Sequence, residues 1–244
     1  MIVKYGFPWS CLLKYSKKIN REDIILDAGC GDGTLITHLK FKGFRNVIGL
    51  DVSSTFIRRV TENCIISDAT YLPFRLSVFK VVLMTKVLEH LENPFKTIQG
   101  VNKSLKNGGY FIFSIPSANY PLRLLKRYHK EYIIGQARNH HISCFDYVQI
   151  KILFYLCNFK LIRLKGFGRM FPNLLGLGRI LDKIFSNVEY FYKYILYIGQ
   201  TSEKITKSNY KSKLGDYHWD YHLMDNRIIE VLRKNSRDHI NFAL

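Results

Sequence analysis

Short apolar runs, broken by glycine-bearing turns and by amphipathic stretches, set the rhythm of the first half of this chain. Ile24-Ile25-Leu26-Asp27-Ala28 reads as a buried strand that ends in Gly29-Cys30-Gly31-Asp32-Gly33. Helical spacing follows over about 34–42, then a second strand, Asn46-Val47-Ile48-Gly49-Leu50-Asp51, with Ser53 and Ser54 placed to cap the next helix. Cys64-Ile65-Ile66-Ser67-Asp68 is a short third strand and Lys80-Val81-Val82-Leu83-Met84-Thr85 a fourth. Asn93-Pro94 starts a helix that reaches about 105. After an Asn107-Gly108-Gly109 turn, a fifth strand runs over 110–115 and stops at Pro116. Strands alternating with helices predict a parallel sheet, and uninterrupted apolar strands predict one covered on both faces.

Beyond Pro116 the pattern loosens. Residues 117–142 are polar and basic. Helical spacing returns over 145–156, with Asn158 placed as a left-handed cap before a strand at 160–167. Residues 172–190 are amphipathic and aromatic, and 194–200 reads as a further strand. Residues 1–22 read as a helical lead-in. The division expected is one domain over 1–200, with cap elements at about 117–144 and 169–192. A polar tail follows over 201–244, with one helix near 226–234.

Charge changes this picture. Thirty-seven Lys and Arg against nineteen Asp and Glu leave +18. Residues 1–120 carry sixteen cations and nine anions, for +7; residues 121–244 carry twenty-one and ten, for +11. Such an excess favours an anionic partner (nucleic acid, phosphate or acidic membrane) and places it toward the C-terminal half. Five cysteines with no CxxC pair argue against a disulfide framework and a cysteine-rich zinc site. No apolar run approaches the ~20 residues of a membrane-spanning helix. The first 25 residues do not have the pattern of a secretory signal. A cytoplasmic protein is expected, with peripheral contact at the inner face of a membrane as an extension of that reading.

The Asp27-x-Gly29-x-Gly31-x-Gly33 turn lets backbone approach a ligand closely, ahead of a helix start that offers N–H donors. Dinucleotide-binding domains use such turns too. Asp51 stands twenty residues past Gly31 at the end of the second strand, where a carboxylate accepts from ribose hydroxyls. Asp68, ending the third, suits an exocyclic amine. Each aspartate has the alternative of a helix cap or a surface charge.

These segments, with Leu72-Pro73-Phe74, Val87-Leu88-Glu89-His90-Leu91 and Leu105-Lys106-Asn107-Gly108-Gly109, resemble class I S-adenosylmethionine-dependent methyltransferases. The similarity extends to the type 11 subgroup, which includes ubiquinone-biosynthesis O-methyltransferases and glycan-cluster enzymes. It is clear over about 20–116, with a looser echo from His140-His141-Ile142 to near Leu161. The resemblance implies an α/β, Rossmann-like seven-stranded sheet with helices on both faces, an inserted cap and a C-terminal helical tail. It implies S-adenosylmethionine as cofactor. Asp27, Gly29 and Gly31 would surround its methionine end, Asp51 the ribose, Val52 the adenine face, Asp68 and Ala69 the adenine edge. Met84, Thr85 and Lys86 would lie near the sulfonium.

Methyl transfer to a small-molecule or lipid- or saccharide-linked acceptor at oxygen is the function expected. A base must then take the hydroxyl proton; His90, His140 and His141 are the candidates, with His90 and His141 preferred, each with the alternative of a structural or solvated histidine. Arg123, Arg127 and His140 are candidates for holding a phosphate-bearing acceptor, against a solvated helix face. Residues 172–198 suit a lid or a membrane contact, or simple packing. Some relatives with a Glu-His pair bind a divalent ion using another Glu three residues earlier. Lys86 holds that position here, so no metal is expected. RNA methylation is the rival reading: the charge supports it, but Thr85-Lys86-Val87-Leu88 stands where base methylases carry an Asn-Pro-Pro-Tyr-type tetrad. A cofactor-binding scaffold without catalysis is the non-enzyme alternative.

Overall fold

The computed structural model describes residues 19–58, 60, 63–120, 141–167, 180 and 194–202. The chain divides into two units, Met1–Ile205 and Thr206–Leu244, and the second lies outside the described residues. So do the lead-in at 1–18, the region 121–140, nearly all of 168–193 and the helix expected near 226–234.

Seven strands form one sheet. They are β1 (Ile25–Ala28), β2 (Val47–Asp51), β3 (Cys64–Ile66), β4 (Phe79–Thr85), β5 (Leu105–Pro116), β6 (Phe159–Phe167) and β7 (Tyr194–Thr201). Their order is β3-β2-β1-β4-β5-β7-β6. The first five pair in parallel, as the alternating pattern predicts. The strand β7 instead inserts between β5 and β6 and is antiparallel to both, a pairing that strand periodicity does not encode. A second difference concerns β5. It begins at Leu105, paired with Phe79, and the Lys106–Gly109 turn bulges out before pairing resumes between Val81 and Tyr110.

The helices start where the sequence supplies acceptors for free N–H groups. These helices are α1 (Thr34–Phe41), the single turn α2 (Ser54–Ile57), α3 (Pro94–Ser104) and α4 (Tyr147–Leu156). Ser53 caps α2, Asn93 caps α3 ahead of Pro94, and Asp146 with Gln149 forms a reciprocal capping box on α4. Asn158 takes the left-handed conformation expected of it, at φ 56°.

Both faces of the sheet are covered. Ile36 and Leu39 of α1 pack with Ile25, Leu83 and Ile112 on one face. Ile98 of α3 and Ile150 and Phe154 of α4 pack with Leu26, Val82 and Phe113 on the other. On that second face Phe113 stacks on Tyr197 of β7 with centroids 5.1 Å apart, so β7 is fixed by aromatic packing as well as by backbone pairing.

The α1 face also holds a tight spot. A Cβ on Gly49 would lie 2.5 Å from Cys64 Sγ, 2.6 Å from Ile36 Cδ1 and 2.9 Å from Cys30 Sγ. Gly49→Ala is therefore expected to cost about 1–3 kcal/mol through overpacking, measured as a lower midpoint in denaturant unfolding. An unchanged midpoint would show that the two sulfurs move aside freely.

Candidate functional site

The C-terminal ends of β1, β2, β3 and β4 lie side by side, because parallel pairing sends all four chain exits to one edge. The glycine turn leaves β1 and is held against β2. The amides of Gly29 and Cys30 both donate to the Leu50 carbonyl, at 2.6 and 3.0 Å. Gly29 and Gly31 have φ of 80° and 52°, the left-handed region where glycine carries no Cβ penalty.

Asp51 ties the two loops together. Its Oδ2 accepts from Gly31 N at 2.9 Å and its Oδ1 from Ser53 N at 2.8 Å. Each oxygen keeps a lone pair, so the carboxylate is fixed in place and still able to accept. Val52 follows with its side chain 73% exposed, an apolar surface beside that carboxylate. From β3, Ser67 N donates to Asp51 O, which draws the next loop alongside. Asp68 is exposed and caps that loop through Thr70 N to Oδ1 at 2.8 Å, and Ala69 is buried in the core.

Asp27 is buried, 1% exposed, and its Oδ2 has no hydrogen-bond partner among the described residues. Burial, and secondly the charge of Asp51, push its carboxyl up to about 7. Thr85 and Ser114 are register partners on β4 and β5, and both hydroxyls are buried without a partner among the described residues. Asp27 pairs with Leu83, two residues before Thr85, so all three polar groups stand on the α1 face near the same edge. Unsatisfied buried groups are rare and call for a ligand, water or ion. Ser114 was not singled out in the sequence; a lone hydroxyl within the apolar run Tyr110–Pro116 is the signal that marks it.

The turn after β4 closes against this loop. A Cβ at Gly29 would collide with the Val87 side chain, so Val87 lies directly on the glycine turn. Lys86, just before it, is left-handed at φ 55°, a strained conformation for a residue with a side chain, and its ammonium sits 4.7 Å from the Tyr194 ring. His90 ends the 3-10 turn Leu88–His90. The backbone at Ile142 and Ser143 meets this turn: both amides donate to Glu89 O at 3.0 Å. The His90 and His141 rings come to 4.9 Å between centroids. Arg123, Arg127 and His140 lie outside the described residues.

The methyltransferase domain family matches residues 9–164, well over half of the chain. The chain belongs to the methyltransferase domain family. An uncharacterized protein of Methanocaldococcus jannaschii is 38% identical to it over 106 residues, which is 42% of this chain and 44% of that protein. A ubiquinone biosynthesis O-methyltransferase of Rickettsia bellii is 32% identical over 121 residues, 46% of this chain and 49% of that enzyme. The chain thus spans about half the length of these curated relatives. A methyltransferase structure from Archaeoglobus fulgidus, described as SAM-dependent, superposes with a TM-score of 0.58 at 16% identity, covering 79% of this chain and 92% of that one. This last likeness concerns the fold.

Family and fold imply S-adenosylmethionine as the cofactor of this methyltransferase domain, and the residues present fit it. The unpartnered Asp27 oxygen suits a cationic group, and the fixed Asp51 carboxylate suits a diol. A Cβ at Gly31 would meet no atom of the described residues within 4 Å, so among them the turn leaves room on that side. Gly31→Ala is expected to lower cofactor affinity by about tenfold while costing about 1 kcal/mol of fold stability for the left-handed alanine. Calorimetric titration beside thermal unfolding checks both halves; full affinity in a folded variant would move the ligand away from this loop.

Proposed function

We propose that this chain transfers a methyl group from S-adenosylmethionine to an oxygen of a small-molecule or lipid- or saccharide-linked acceptor, with His90 or His141 taking the hydroxyl proton. The observation that supports this most is the apposition of the His141 ring to that of His90, on a turn that touches the glycine loop. When bound, S-adenosylmethionine supplies a methyl carbon on a sulfonium whose electron pair leaves with sulfur. The protein's tasks are then positioning, exclusion of water and proton removal. Asp51 and the glycine turn orient one end of the ligand, Val52, Asp68 and Ala69 receive the adenine, and Thr85 borders the reacting end. The similarity to ubiquinone biosynthesis O-methyltransferases supports oxygen as the atom methylated.

A phosphate-bearing acceptor would meet Arg123, Arg127 and His140. For a lipid-linked acceptor the enzyme would work in the cytoplasm at the inner face of a membrane. Among the described residues no helix is long and apolar enough to cross one.

Labelled-methyl transfer from the cofactor to cell extract tests the reading. Label in the organic or saccharide fraction is the expected result. Label in RNA would replace the acceptor class with nucleic acid. Cofactor binding without transfer to any fraction would leave a binding protein of this fold.

A further inference from the structure

Among the described residues three ligand-type side chains converge: Glu89, His90 and His141, whose donor atoms all lie within 4.8 Å of one another. Sequence separates His141 from the other two by half a hundred residues. The fold rejoins them through the paired bonds from Ile142 N and Ser143 N to Glu89 O. Glu89 is buried, 2% exposed, so its carboxylate is shielded from solvent.

We infer that Glu89, His90 and His141 act as one proton-handling unit, in which the Glu89 carboxylate is a positioning residue that sets the tautomer of the histidine pair and balances its charge. The inference rests on the O-methyl transfer proposed above. A buried carboxylate within direct or one-water reach of an imidazole fixes which ring nitrogen carries hydrogen, and it stabilises the cation formed when the other nitrogen accepts a proton. In the reaction the acceptor's O–H bond breaks and its proton goes to a ring nitrogen. The oxygen's electron pair is left to bond the methyl carbon, whose former pair stays with sulfur. The imidazolium then releases its proton to solvent.

A metal on these three groups is the competing use, since their donor atoms lie close enough together to hold one. Lys86 stands three residues before Glu89, where some relatives carry the further acidic ligand of a metal site. The other titratable groups on the segments meeting here are Glu92 after the turn, Cys144, Asp146 and Tyr147 entering α4, and Tyr194 under the Lys86 ammonium.

The test uses the full chain with Glu89→Gln, His90→Asn and His141→Asn, read by long-range proton–nitrogen NMR of the histidine rings. The two histidine variants assign the signals. One defined tautomer in the pair is expected in the parent protein, lost to a mixture in Glu89→Gln, with the other histidines and S-adenosylmethionine affinity unchanged. Unmoved ring signals in a folded Glu89→Gln variant overturn the inference. If that variant does not fold, His141→Asn must shift the His90 signals, and failure to do so overturns it equally. Titration with zinc chloride and magnesium chloride alone completes the test: stoichiometric binding that vanishes in Glu89→Gln and His141→Asn replaces the proton unit with a metal site. Loss of cofactor binding in the parent protein would instead strike the methyl-transfer reading.

Discussion

Asp51→Ala is expected to lower the affinity of the full chain for S-adenosylmethionine by about a hundredfold or more, measured by isothermal titration calorimetry. The carboxylate is held by Gly31 N and Ser53 N, which leaves one lone pair on each oxygen for a pair of hydroxyls. Hydrogen bonds to a charged acceptor contribute about 1.5–3 kcal/mol each, and two of them amount to about two to four powers of ten in affinity. The same substitution unties the β1 and β2 loops, so a structural contribution must be separated from a binding one. Asp51→Asn does this. It keeps one acceptor oxygen and is expected to bind about tenfold more weakly than the parent, with a small change in unfolding midpoint. Full affinity in Asp51→Asn, beside a destabilised Asp51→Ala, would reduce Asp51 to a loop clamp.

The second large effect concerns pH. The Asp27 carboxyl is raised from the ordinary 3.8 to about 7, first by burial and then by the Asp51 charge. Between about pH 4 and pH 7 the folded chain keeps a proton that the unfolded chain has released, so stability falls as pH rises across that window. The penalty is absent below the lower value and complete above the upper one. A shift of about three units corresponds to about 4 kcal/mol. Asp27→Asn removes the ionisation and is expected to be more stable than the parent above pH 7 and alike near pH 4, read by denaturant unfolding at both.

Ligand binding runs the other way. A cationic ligand favours the ionised carboxyl, so affinity for S-adenosylmethionine is expected to rise by up to about tenfold per unit as pH approaches 7 from below. In Asp27→Asn that slope should vanish and affinity near neutrality should fall. Parallel pH slopes in the two proteins would place the cation elsewhere. The arrangement carries a cost in the free protein that the ligand offsets, which is how a binding site stores part of its specificity.

Much of this molecule is legible along the chain because its determinants are local. A run such as Ile25-Leu26-Asp27-Ala28, followed by glycines, reports a buried strand and a sharp exit without reference to anything distant. Asn93-Pro94 reports a helix start for the same reason, since a cap needs only its next three residues. Parallel strands then deliver Asp27, Gly31, Asp51, Asp68 and Thr85 to one edge, so the placement of these candidate residues follows from motif order.

What the sequence leaves open depends on contacts between remote segments. Strand periodicity reports the two faces of a strand but not its neighbour, so the placement of β7 between β5 and β6, antiparallel to both, rests on long-range pairing and on Phe113 stacking against Tyr197. The bulge that lets β5 begin at Leu105 has the same origin, in register with Phe79.

The chemistry divides in the same way. His90 and His141 are each ambiguous alone, and Glu89 reads along the chain only as half of a Glu-His pair with no third ligand beside it. Two backbone hydrogen bonds to the Glu89 carbonyl bring all three together. Ser114 gains meaning only beside Thr85 and above a buried Asp27. The sequence by itself determined the strand–turn–helix repeats and the carboxylates at the strand ends, because those are read from neighbours a few residues away. The tertiary structure decided which side chains lose water together and face one another, and desolvation and apposition are what raise the Asp27 carboxyl and make a pair of two separate histidines.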